Sequence, residues 1–159
     1  MDGKALQNRV SKALGNAARR IGTQYIVYHP RGCIAPLSPR HRVIKLHAGV
    51  EPIRGAGAGV GGYGVVLWRG IFDSLYTSPG DYLQGHGGTF FIASQLPLQP
   101  ILLVKTTHVV TISRPLPVAS GGYSGFTENS ASLIIEGWPA LLVEAGGRIE
   151  GTLPETHYC

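Results

Sequence analysis

The sequence predicts a mainly β fold: a small antiparallel β-barrel or sandwich with an N-terminal α-helix and long extended loops. Three observations lead there. Apolar residues recur at the helical spacing only near the N-terminus and at period two, or in short runs, afterwards. The 159 residues include 23 Gly and 11 Pro, which leaves little room for further long helices. No helical run separates the later strand-like segments, which argues against alternating βαβ units and a parallel sheet.

Taken in order, residues 4–21 carry Leu6, Val10, Ala13 or Leu14, Ala17 and Ile21 every three or four positions, and Gly22 marks the helix end. The stripe is thin and Ala-rich with Gly15 in its middle, so this helix needs a partner surface, its own domain or a neighbour. Strands are expected at 24–29, 43–46, 63–69, 89–95, 101–106, 108–113, 133–136 and 140–143, with a further one opening at Tyr82 and Leu83. Turn dipeptides such as Pro79-Gly80 and Gly121-Gly122 bound them, and Asp81 can bond the backbone of its turn. Pro97 and Pro100 cannot join a ladder, so residues 95–100 form a stiff corner between two apolar strands. Three stretches, 30–42, 55–62 and 115–129, read as extended arms for contacting other chains. The layout is a basic helix at 1–22, a barrel domain at 23–150 and a tail at 151–159.

The chain is weakly charged, at 14%, with a net charge of +5. Residues 1–54 hold ten basic side chains against Asp2 and Glu51, a balance of +8, whereas the rest holds four against seven, or −3. A basic first third suggests contact with nucleic acid or an acidic protein surface, set against the plainer reading of a solvated helix face. No stretch of about 18 apolar residues occurs and the N-terminus lacks the apolar core of a secretory signal, so a soluble chain made in the cytoplasm, without membrane contact, is expected.

Little in the sequence points to catalysis. Cys33 and Cys159 match no zinc spacing; they read as free thiols or as a disulfide within one subunit or between two. Gly57, Gly59 and Gly62 formally match the dinucleotide fingerprint, but a strand follows them where that fingerprint needs a helix. Ser124 has no flanking nucleophile pattern. The six histidines are scattered, with His108 on a strand, and the carboxylates Asp73, Asp81, Glu128, Glu136, Glu144 and Glu150 show no partner in sequence. The expectation is a protein that is not an enzyme, with no catalytic residue, no cofactor and no metal. A single-stranded nucleic-acid-binding barrel is the alternative: Arg19, Arg20, Arg31, Arg40, Arg42 and Lys45 would meet phosphates, and Tyr25, Tyr28, Phe90 or Phe91 would stack on bases.

The segment SLYTSPGDYLQGHGGTFFIASQLPLQPILLVKTTHVVTISRP, residues 74–115, resembles structural proteins of tailed-bacteriophage particles, in which a GDYL turn leads through two strands to a VTISRP exit. The opening MDGKALQNRVSKALGNAARRIGTQYIVYHPRG and the later IIEGWPALLVEAGGRIEG are similar to the same proteins. The resemblance implies a virion protein, present in the host cytoplasm during assembly. It also implies a homo-oligomeric ring of six or twelve copies at the neck, as head-to-tail connector, collar or head-completion protein. Its partners would be portal, adaptor or tail components, and genomic DNA would pass through the lumen without sequence-specific contact. A tail component or capsid decoration is the other virion role. The expected interface is the stripe Leu6, Val10, Leu14 and Ile21, with Arg19 and Arg20 facing an acidic partner and Tyr63, Tyr123 and Phe126 as aromatic anchors.

Overall fold

A computed structural model describes residues 3–32, 34–53, 67–115 and 132–141. The helix α1 spans Gly3–Ile21, and the strands are β1 Thr23–Tyr28, β2 Arg42–Pro52, β3 Leu67–Ile71, β4 Tyr82–Gly85, β5 Gly88–Ser94, β6 Ile101–Lys105, β7 His108–Pro115 and β8 Ser132–Ala140. Six of these strands close into an antiparallel barrel in the order β1-β2-β3-β6-β5-β4, and β7 and β8 form a separate two-stranded sheet. The barrel and the N-terminal helix agree with the sequence reading. The strand expected at 133–136 continues to Ala140 as β8, residues 142–143 of the segment expected at 140–143 lie outside the described residues, and β2 runs well beyond the expected 43–46.

Period-two patterning builds the interior. Tyr25 and Val27 on β1, Ala48 on β2, Leu83 on β4, Phe90 and Ile92 on β5, and Ile101 and Leu103 on β6 all point inward into one core. Trp68 and Phe90 meet edge-on with centroids 5.3 Å apart, an arrangement the aromatic quadrupole favours. The crossover from β3 to β4 sends Phe72, fully buried, into this core.

The turns follow local chemistry. Ser78-Pro79-Gly80-Asp81 closes with the Asp81 amide donating to Ser78 O at 3.1 Å, and Gly80 takes φ 97°, which a side chain would disfavour. Asp81 Oδ2 accepts from the Ser78 amide at 2.8 Å, the backbone bond expected of it. The corner at 95–100 is pinned by Gln95, whose amide donates to Ser74 O at 2.9 Å and Thr77 O at 3.1 Å.

The stretch 30–42, expected as an outward arm, instead turns back on the barrel in its described part. Pro36 and His41 are buried, a short 3-10 helix forms at Pro39–His41, and His41 O accepts from the His29 amide at 2.8 Å. The two carbonyls 3.1 Å from His41 Nδ1, those of Ala35 and Pro36, explain why this polar ring tolerates burial. The arm at 55–62 and residues 116–129 of the third lie outside the described residues, as does the glycine fingerprint.

Candidate functional site

The seat of α1 on the barrel determines which helix face is left over. Ser11 and Ala18 are its buried residues, and Gly15 lies between them. A Cβ on Gly15 would come within 2.9 Å of Asp73 Cβ, and one on Gly22 within 2.6 Å of the Ala48 carbonyl group. Gly22 ends the helix as expected, but its φ is not positive; close approach to β2 is what demands glycine there. Ser11 Oγ donates to Asp73 Oδ1 at 2.7 Å, and the Ser74 amide donates back to Ser11 Oγ at 2.9 Å, so the seat is polar as well as tight.

Because the helix seats through small residues, its apolar stripe stays outside. At about 100° per residue the stripe lies roughly 100° around the axis from Ser11, Gly15 and Ala18. Leu6 is 41% exposed, Leu14 36% and Ile21 73%; Val10 is half-buried, and Arg19 and Arg20 are exposed. Val10 and Leu14 line a groove of about 430 Å³ whose far wall is Leu96, Pro97 and Leu98 of the corner. Leu98 is 67% exposed and holds φ 60°, a strained position for a leucine. The structure thus brings together the stripe Leu6, Val10, Leu14 and Ile21, whereas Arg19 lies on another side of the helix, in a cleft beside β2. Tyr63, Tyr123, Phe126, Cys33, Cys159 and Ser124 lie outside the described residues.

A second cavity, of about 490 Å³, separates the barrel from the β7–β8 sheet. Tyr82, Phe91 and Val104 form its barrel wall, and Trp138, Pro139 and Leu141 its outer wall. The two parts are joined by the Tyr82 hydroxyl, which donates to Pro139 O at 3.3 Å, while in the link from β6 to β7 the Thr107 amide donates to Ala140 O at 2.9 Å. Burial pushes the Tyr82 hydroxyl above its usual pKa.

At the rim, His29 Nδ1 lies 2.5 Å from Oδ1 of the buried Asp81. Burial raises the Asp81 carboxyl above its usual range, against the opposing pull of the Ser78 amide and of His29. Sequence reasoning missed this pair because 52 residues separate its members. A carboxylate that orients an imidazole is half of a nucleophile-activating set. The hydroxyls of Thr106 and Tyr82 nearby are already committed, to Thr89 O and Pro139 O. The pair therefore ties the end of β1 to the turn before β4.

Among the described residues, no cluster of three His, Cys, Asp or Glu could hold a metal, and no helix is long and apolar enough to cross a membrane. Of the four aromatics expected to stack on bases, Tyr25, Tyr28 and Phe90 are buried, and Phe91 is half-buried and lines the cavity beside the β7–β8 sheet. His108 is exposed, with Nδ1 2.7 Å from the Thr107 hydroxyl. Comparison with protein-family models, curated proteins and solved structures finds no match.

Proposed function

We propose that this chain is a structural protein of a tailed-bacteriophage particle that assembles into a ring of six or twelve copies at the neck. In that setting DNA passes through the lumen, and portal, adaptor or tail components stack above and below. The observation that carries the assembly part is the stripe Leu6, Leu14 and Ile21, left in solvent by a helix that seats through Ser11, Gly15 and Ala18. An amphipathic helix ordinarily buries its apolar face, and a contiguous exposed one marks a contact surface. The occupant is a second copy, which meets the stripe and the adjoining corner with a different face of its own. Such a heterologous contact closes into a ring when the rotation closes. The phage setting rests on the resemblance of residues 74–115 and of the opening segment.

Negative-stain electron microscopy of the purified full chain tests this reading. Annular particles with an open lumen are expected; a field of single barrel-sized particles at every concentration overturns it.

A further inference from the structure

We propose that the cleft between α1 and β2 binds the backbone of a single nucleic-acid strand. The cleft has a volume of about 380 Å³ and its lining includes Lys12, Asn16 and Arg19 from the helix, Lys45 and His47 from β2, and Tyr76. Residues 12, 16 and 19 share one helix face because they are spaced four and three apart, and 45 and 47 share the outer face of β2 because they are two apart. Two scaffold elements thus aim the same charge at one space. None of Lys12, Arg19 and Lys45 has an ion pair among the described residues. The one carboxylate in the cleft, Asp73, is engaged by Ser11 Oγ and by the Leu75 amide.

Three cations, Lys12, Arg19 and Lys45, face one carboxylate, Asp73, whose charge its neutral hydrogen-bond donors do not cancel, so the cleft holds an excess of positive charge that a bound anion relieves. Lys12 and Arg19 stand about 10 Å apart along the helix, at about 1.5 Å per residue, which suits an extended anion better than a single ion. Tyr76 selects among extended anions. It is 59% exposed, and an aromatic ring beside a cationic track is the combination that stacks an unpaired base while phosphates are neutralised. An acidic protein surface would make no comparable use of that ring. This surface differs from the barrel aromatics that the sequence suggested, and it is independent of the ring reading: a monomer could possess it and a ring could lack it.

The test is fluorescence anisotropy of the full chain with a labelled oligo-dT strand, titrated with salt from about 50 mM upward. Neutralising three phosphates predicts a slope of about −2 in log affinity against log salt, and Lys12→Ala, Arg19→Ala or Lys45→Ala should each reduce it by about 0.7. Tyr76→Ala should weaken binding roughly fivefold or more while leaving the slope in place. All four side chains are exposed, and an unchanged melting temperature verifies that each variant is folded. No binding at the lowest salt, a slope untouched by the three substitutions, or equal competition by poly-glutamate overturns the proposal. Duplex DNA bound as tightly as oligo-dT, with no effect of Tyr76→Ala, overturns the single-strand assignment.

Discussion

Gly15 of α1 passes so close to Asp73 that a methyl group there would stand 2.9 Å from Asp73 Cβ, and this contact sets the rotation of the helix on the barrel. A turn about its axis that buried Leu14 would lift Ser11 away from Asp73 and Ser74, breaking three hydrogen bonds. The seat and the exposed stripe are therefore one structural decision.

Gly15→Ala should destabilise the protein although alanine is the better helix former. The intrinsic gain is about 1 kcal/mol. Against it stand an overpacking cost of about 1–3 kcal/mol and strain on the Ser11–Asp73 bond, worth about 0.5–1.5 kcal/mol. A fall in Tm of roughly 2–8 °C is expected by calorimetry; an unchanged or higher Tm would show that the helix does not seat through this face.

Phe72→Ala should cost about 3–5 kcal/mol, the range for a buried aromatic truncated to a methyl. Phe72 is fully buried and reaches the core from the connection between β3 and β4. Denaturant titration measures it, and a loss below about 1 kcal/mol would mean that the crossover does not fill the barrel.

Asp81 makes stability depend on pH in a stated direction. Burial raises its carboxyl above 3.8, so its contribution is complete below that pH and is lost as the pH rises through the folded value. Asp81→Asn removes the titration. Relative to the wild type, the variant should gain stability as the pH climbs from the acid side of the carboxylate range to neutrality. Denaturant midpoints across that range provide the check, and parallel curves would contradict the burial argument.

Tyr82→Phe removes the hydroxyl that donates to Pro139 O at 3.3 Å, at a cost of about 0.5–1.5 kcal/mol. The effect should be local, with amide hydrogen exchange rising in β7 and β8 more than in β1 or β5, because a two-stranded sheet is marginal without its support. A uniform rise across the barrel would show that the sheet is not docked through this bond.

The parts of this fold that the sequence revealed are those with local signals. The alternation over 89–95, the apolar run at 101–104 and the Pro79-Gly80 turn placed β5, β6 and the start of β4. The strand order was hidden because the β1–β4 and β3–β6 pairings join distant segments. Apolar periodicity selected Leu6, Val10, Leu14 and Ile21 as the contact face of the helix, yet the barrel is met by Ser11, Gly15 and Ala18, which a hydrophobic scan scores low. A glycine in mid-helix, at a cost of about 1 kcal/mol, was the available sign that another backbone comes close. The His29–Asp81 pair carried no such sign, since neither residue has a neighbour in sequence that announces the other.

The central claim is that α1 presents its stripe to another copy of the chain, and native mass spectrometry of the full chain beside the double variant Leu6→Lys, Leu14→Lys tests it most directly. The wild type should appear as a closed oligomer of six or twelve subunits, and the variant as a folded monomer with the wild-type circular dichroism spectrum. A wild type that stays monomeric at all concentrations, or a variant that assembles as the wild type does, would contradict the account.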